Sequence, residues 1–169
     1  RPLPFAFAKR HGVLVRDIAE ASADVVVRDG ASPLALAEVR RHYPQYRVWM
    51  ETGRYPVAEA GVLLARVTQV KTKGAHHYVG VDTGMNSLIR PALYDAWHPI
   101  VNLTRLADVA DATCTIVGPI CESGDVLGSN RRLPTPREGD VLLVAQAGAY
   151  GHVMASRYNL REPAAEVLL

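Results

Sequence analysis

The chain has 169 residues, 49% of them apolar and 21% charged, with a formal net charge of +2. That is room for one globular domain with a small appendage, and enough chain to bury roughly 70% of its unfolded surface without a disulfide or a metal for support. The arginines are scattered, so no basic stripe with interleaved aromatics offers a nucleic-acid surface, and no apolar run approaches the ~20 residues that span a membrane.

In chain order, Val13 to Ile18 and Val25 to Val27 are β-branched runs separated by an alanine-rich stretch. Ser32-Pro33 predicts a helix start, with serine as cap and proline at the first helical position. Leu34, Leu36, Val39 and Tyr43 fall on its apolar side, and Pro44 ends it. Tyr46 to Met50 reads as a buried strand leading into the polar turn Glu51-Thr52-Gly53-Arg54. After Gly61 the pattern becomes mostly strand: Val62 to Val70, His77 to Val81, Ile100 to Leu103, Thr113 to Val117 and Val141 to Ala145, each bounded by Gly, Pro or Asp. Lys71 to Ala75 reads as a turn, and Gly139-Asp140 as a turn feeding a strand. Helical turns are predicted from Pro91 and from Ala149 to about Tyr158. The pair Arg131-Arg132, beside prolines, reads as a solvated loop. The expected fold is mainly β with some α. A carboxyl-terminal β-barrel or sandwich occupies 55–169, and a partial α/β piece occupies 1–54.

The two cysteines, Cys114 and Cys121, are too few for a disulfide framework and lack metal-ligand spacing, which suits a reducing cytoplasm. No HxxxH or HxH pair is present, so no metal is expected. Cys121-Glu122-Ser123-Gly124-Asp125 follows Gly118-Pro119 on a loop, where reactive groups are commonly displayed. A thiol beside two carboxylates is disfavoured as the thiolate, which suits a proton donor better than a nucleophile. The same segment also reads as a half-buried cysteine on a polar loop. Arg90 and Tyr94 fall four residues apart on one side of a helical turn. They read either as a carboxylate clamp or as a surface arginine packed on a tyrosine ring. In Gly148-Ala149-Tyr150-Gly151 an aromatic hydroxyl sits between glycines that let backbone approach a ligand. The turn Glu51-Thr52-Gly53-Arg54 can present backbone N–H groups to an anion such as phosphate.

Taken in order, Glu51-Thr52-Gly53-Arg54, Ala60-Gly61-Val62-Leu63-Leu64, Gly84-Met85-Asn86, Ile89-Arg90-Pro91-Ala92-Leu93-Tyr94, Cys121-Glu122-Ser123-Gly124-Asp125, Gly148-Ala149-Tyr150-Gly151 and Met154-Ala155-Ser156 resemble the diaminopimelate decarboxylases. The likeness runs from about Leu34 to Leu169, and within the family it is nearest the bacterial form fused behind an aspartate kinase. The resemblance implies a pyridoxal 5'-phosphate-dependent lyase of lysine biosynthesis. Such an enzyme has a cofactor-carrying barrel, a carboxyl-terminal β-domain, and active sites shared across a homodimer. It implies cofactor contacts at Glu51, Thr52, Gly53, Arg54 and Tyr150. Arg54, Arg90 and Tyr94 would hold substrate carboxylate, and Tyr150 would also touch substrate. Cys121 would be the proton donor, reaching into the partner's site, with Glu122 on the substrate's distal amino group.

Departures accompany the likeness. The family turn reads Glu-Pro-Gly-Arg, and Thr52 here replaces its rigid proline. Residues 1–33 are unmatched, and Phe7-Ala8-Lys9-Arg10 has the wrong spacing for the lysine that anchors the cofactor. The resemblance therefore implies that this chain alone does not decarboxylate. Two other readings stay open: a catalytically inactive stand-alone β-domain used for dimerisation or binding, and an ornithine- or arginine-type decarboxylase. Against the latter, those enzymes usually carry an aspartate after the cysteine, where Glu122 stands here.

Overall fold

The computed structural model describes residues 5–20, 22–28, 33–45, 47 and 53–169. The chain divides into two compact units, Arg1–Glu51 and Thr52–Leu169.

In the first unit, α1 (Phe5–His11) leads into the antiparallel hairpin β1 (Val13–Ile18) and β2 (Ala23–Val27), with a register shift between Val15 and Asp17. Arg16 and Asp24 form an ion pair across the hairpin. Helix α2 (Pro33–His42) follows. Val13, Ala35, Val39 and Tyr43 make its small core, against which Val15 and Val25 pack. Val39 and Tyr43 of the predicted stripe face inward, and Leu36 is half-buried. Ala35 replaces Leu34, which is 79% exposed, because positions 35, 39 and 43 share a face at the helical period. The Ser32 cap and, apart from Arg47, the Tyr46 to Met50 strand lie outside the described residues.

The second unit is built on β3 (Leu63–Lys73), β4 (His76–Val81), β5 (Ile100–Asn102), β6 (Ala112–Val117), β7 (Val126–Leu133) and β8 (Val141–Val144). They form one sheet in the order β5-β8-β3-β4-β6-β7. All neighbours are antiparallel except β4 and β6, which pair in parallel from His76↔Thr113 to Gly80↔Val117. The sheet curls until its edges meet, β5 packing against β7, so the barrel is nearly closed. At that seam a Cβ on Gly128 would lie 2.9 Å from Ile100 Cδ1 and 2.5 Å from Arg131 Nε, a close approach that only glycine allows. Alternation decides which faces fill the barrel: Leu63, Ala65 and Val67 of β3 and Ala112, Cys114 and Ile116 of β6 point inward. The expected mainly β architecture is what forms.

Three elements depart from the sequence reading. Strand β3 runs on through Lys71 to Lys73, and the turn shrinks to Gly74-Ala75, with Gly74 at φ +61°. Lysines are tolerated there because this end of β3 is exposed. The predicted solvated loop at Arg131-Arg132 is instead part of β7, with Arg131 buried opposite Cys114 and Arg132 exposed. The predicted helix from Ala149 to Tyr158 reduces to the short 3-10 turns His152–Met154 and Tyr158–Leu160. Left-handed backbone at Tyr150 (φ +57°) and Asn159 (φ +58°) breaks any continuous helix.

A buried carboxylate ties the end of β5 to the start of β8. Asp140 Oδ2 accepts hydrogen bonds from Asn102 Nδ2, Arg105 Nε and the Arg137 backbone N–H, each at 2.9 Å. Burial pushes this carboxyl's pKa upward, but the hydrogen bonds from Asn102, Arg137 and Arg105, with the Arg105 charge, outweigh it and hold it below the usual value. A depressed carboxyl stabilises the fold fully above its unfolded value of about 3.9, and that contribution is lost as pH falls through the lower, folded value. Asp140→Asn should therefore cost roughly 1–3 kcal/mol at pH 7 and flatten the acid limb of a stability-versus-pH curve below about pH 4. Urea unfolding at a series of pH values reads both effects, and an unchanged acid limb would contradict them.

Candidate functional site

Two glycine-mediated approaches fasten the start of the barrel unit to the turn after β8. A Cβ on Gly61 would lie 2.6 Å from Gly148 Cα. Ala147 N–H donates to Gly61 O (2.8 Å) and Gly148 N–H to Ala58 O (3.1 Å). A Cβ on Gly53 would lie 2.6 Å from the Tyr150 hydroxyl. Gln146 and Tyr150 both take left-handed backbone, φ +58° and +57°, which costs about 1–3 kcal/mol each and is a feature of ligand-contacting turns. Gln146 Oε1 accepts from Arg54 Nη2 at 3.2 Å. Gly53, Arg54, Gln146 and Tyr150 are thus drawn together. Glu51 and Thr52 lie outside the described residues.

Arg90 opens the short helix α3 (Arg90–Tyr94), with proline in its first turn. Its guanidinium carbon stands 5.6 Å from the centroid of the Tyr94 ring, so the packing reading of this pair is the geometry observed. That packing leaves donors available: Arg90 Nε is buried without a hydrogen-bond partner. Neither Arg90 nor Arg131 forms an ion pair among the described residues.

His98 is fully buried, and its Nδ1 lies 2.9 Å from Ala145 O. A carbonyl only accepts, so Nδ1 carries the hydrogen and the neutral ring's Nε2 is a bare lone pair. That Nε2 is buried without a partner. Burial lowers the pKa of His98. The positive fields of Arg90, Arg54 and Arg131 act in the same direction, against the hydrogen bond to Ala145. Arg131 sits with its guanidinium carbon 4.5 Å from the Trp97 ring centroid, its Nε also buried and unpartnered. Burial lowers its pKa too, yet a guanidinium stays charged. The sequence reading missed both His98 and Arg131. The alternation Arg131, Leu133 was the available signal, and it was obscured by the left-handed Asn130 (φ +54°) just before it.

The second group is the loop between β6 and β7. Asp125, 3% exposed, accepts from Met85 N–H (2.6 Å) and Ile120 N–H (2.7 Å) and so pins two loops together. Gly84 and Gly118 make room, since a Cβ on either would strike the Asp125 carboxylate. Asp125 therefore serves the backbone rather than the thiol. Cys121 and Glu122 are exposed at the tip of this loop. Glu122 is 3.4 Å from both Gly124 N and the Tyr158 hydroxyl. The other cysteine is inert by comparison: burial first, then the Asp111 charge, pushes the Cys114 thiol up to about 11. Among the described residues no hydrogen bond or ion pair joins Cys121 or Glu122 to Arg90, Tyr94 or Tyr150. No group of three or more potential metal ligands occurs among the described residues, and none of the described helices is long and apolar enough to cross a membrane.

This sheet, with an anchored cysteine loop on it and arginines gathered around a buried histidine, has a match among known proteins. A family profile described as pyridoxal-dependent decarboxylase, C-terminal sheet domain, matches residues 13–148, and the chain belongs to that family. It is similar in particular to diaminopimelate decarboxylases. Identity is 47% over 123 residues to the protein of Archaeoglobus fulgidus (73% of this chain, 29% of that protein) and 52% over 120 residues to that of Neisseria meningitidis serogroup B (71% and 28%). The solved diaminopimelate decarboxylase of M. jannaschii, in co-complex with L-lysine, superposes with a TM-score of 0.64 at 34% identity, over 86% of this chain and 33% of that one. The chain spans less than a third of the length of these two curated relatives. The profile match begins at residue 13, upstream of about Leu34 where the likeness was expected to start, so it takes in part of the stretch 1–33 expected to be unmatched.

Replacing Asp125 by Ala would leave the Met85 and Ile120 amides buried without their acceptor. Urea unfolding should show a loss of roughly 2–5 kcal/mol, and Cys121 should react faster with a thiol reagent as its loop loosens. Unchanged stability and labelling rate would mean that the carboxylate is not the anchor.

Proposed function

We propose that this chain is the carboxyl-terminal part of an enzyme that converts meso-2,6-diaminopimelate to L-lysine and carbon dioxide, and that it supplies the proton donor and the substrate-carboxylate side of the site. The observation that carries the reading is the loop 118–125, which holds Cys121 and Glu122 exposed at its tip while Asp125 anchors its base. Residues 1–54 are then a remnant of the barrel domain.

The residues present fit the cofactor. Gly53, bare of a Cβ beside the Tyr150 hydroxyl, leaves backbone open to a phosphate ester, and an aromatic face with a hydroxyl suits a flat ring. Gly53, Arg54 and Tyr150, with Glu51 and Thr52, would hold it. When bound, pyridoxal 5'-phosphate supplies an electron sink for the pair left behind as carbon dioxide departs.

Everything else falls to the protein's own side chains. Arg54 and Arg90 bind substrate carboxylate through charge-assisted hydrogen bonds, with Tyr94 beside them. Gln146 holds the Arg54 fork in orientation. Cys121 holds a proton on Sγ and delivers it to the carbon that has lost its carboxylate. Glu122 receives the distal ammonium, which separates a substrate charged at both ends from a simple amino acid. In this reading Cys121 and Glu122 serve the partner's site across a homodimer, each copy lending its thiol to the other. That is in keeping with the lack of bonds from either to Arg90, Tyr94 or Tyr150 among the described residues.

The test is a titration of the chain with meso-diaminopimelate, followed by calorimetry, with and without pyridoxal 5'-phosphate. We expect saturable binding that Arg90→Met weakens by about tenfold or more, and no carbon dioxide release, since the anchoring lysine has no counterpart here. A chain that binds no meso-diaminopimelate, or an Arg90→Met variant that binds it as the original does, would remove the carboxylate role. It would leave the reading of a non-catalytic dimerisation module.

A further inference from the structure

Arg131 is the most unusual charge in the molecule. Its side chain points to the same face of the sheet as Cys114, its cross-strand partner and a fully buried core residue. A guanidinium taken out of water costs several kcal/mol unless it is paired, yet no carboxylate pairs with Arg131 among the described residues and its Nε has no acceptor. What surrounds it is chosen to place it rather than to neutralise it. Trp97 offers its ring face at 4.5 Å, and Gly128, where a Cβ would strike Arg131 Nε and lie 3.1 Å from Nη2, clears the path.

Next in sequence to Trp97, His98 feels the positive fields of Arg90, Arg54 and Arg131 together, and α3, which carries Arg90, packs against β7, which carries Arg131. The hydrogen bond to Ala145 turns the bare Nε2 away from that carbonyl, and Nε2 also lacks a partner. Arg90 Nε, Arg131 Nε and His98 Nε2 are thus three buried polar atoms without a hydrogen-bond partner among the described residues, and the formal charges of the described residues that act on His98 are positive. An arrangement of that kind is complementary to an anion.

Building on the reading of Arg54 and Arg90 as carboxylate ligands, we propose that Arg131 is a third guanidinium of that site. It is a positioning residue whose charge, held in place by Trp97 and Gly128, steadies the bound carboxylate. The chemical class of the ligand is an organic carboxylate. An inward arginine among aliphatic residues then has a purpose that core packing alone does not supply.

The probe is pimelate, a seven-carbon dicarboxylate without amino groups, titrated into the full chain and into Arg131→Met and Arg131→Lys. Side-chain Nε–H resonances are followed by NMR and affinities by calorimetry at two salt concentrations. The expected result is that Arg131→Met binds pimelate about tenfold more weakly. Arg131→Lys, which keeps the charge, should recover most of the affinity, and the deficit of the Met variant should shrink as salt is raised. In the unsubstituted chain the Arg131 Nε–H resonance should move on adding pimelate. Should Arg131→Met not fold, that resonance and the Lys variant decide the matter. Full affinity in Arg131→Met overturns the proposal and leaves the Arg54–Arg90 reading intact. An equal loss in Met and Lys, with an unmoved Arg131 resonance, also overturns it, because that pattern belongs to packing. If the chain binds no pimelate at all, the carboxylate reading falls and this proposal falls with it.

Discussion

Charge buried inside a small barrel must be met, and the second unit meets its three buried charges in unlike ways. Asp140 and Asp125 are each surrounded by donors. Asp140 gathers a side-chain amide, a guanidinium and a backbone N–H at the β5–β8 seam, and Asp125 gathers two backbone amides from separate loops. An ionised carboxylate with that many donors recovers much of its lost hydration and converts it into fixed geometry. The barrel edge and the base of the cysteine loop are therefore set by two aspartates that do no chemistry themselves. Arg131 is the counter-example, a buried cation met only by an aromatic face.

How much of this was legible beforehand follows from what each residue type signals by itself. Strands β3, β4, β6 and β8 were visible because β-branched and leucine residues dominate them and glycine, proline or aspartate bound them. Strand β7 was not. Gly128-Ser129-Asn130-Arg131-Arg132 carries every local mark of a loop, and it is extended only because β6 offers a ladder and β5 closes over it. Tertiary pairing overrode propensity there. The failure after Ala149 is of the opposite kind. A helix was expected from local content, but Tyr150 and Asn159 adopt left-handed backbone that no helix continues through. Tyr150 holds that conformation where its hydroxyl approaches Gly53, so the strain coincides with that close approach.

The site shows the same division. Cys121, Glu122, Arg90, Tyr94 and Tyr150 could be named from motifs because each lies in a short, distinctive run. His98 and Arg131 could not, since a histidine before a proline and an arginine in a basic pair are individually bland. Their significance is collective and appears only when β7 curls against the segment carrying Trp97 and His98. Thr52 stands where the family turn has proline, in a segment outside the described residues, and nothing in the structure accounts for it.

On the proposed reading, two requirements explain why the unit is built as a stiff barrel. A proton donor must stay exposed yet arrive at one face of a carbon, which calls for a displayed thiol on a loop whose base cannot drift; Asp125, wedged against Gly84 and Gly118, provides that base. A carboxylate clamp must hold like charges close together before its ligand arrives. Mutual repulsion would spread guanidinium groups carried on flexible arms, so each is restrained by a neighbour: Arg54 by Gln146, Arg90 by the Tyr94 ring and Arg131 by the Trp97 ring. A fourth positive charge at His98 would make the repulsion worse, and burial opposes it. Repulsion that the barrel must withstand when the site is empty becomes attraction when an anion enters. On the proposed reading, that reversal is how a rigid scaffold turns the cost of gathering like charges into selectivity for a carboxylate.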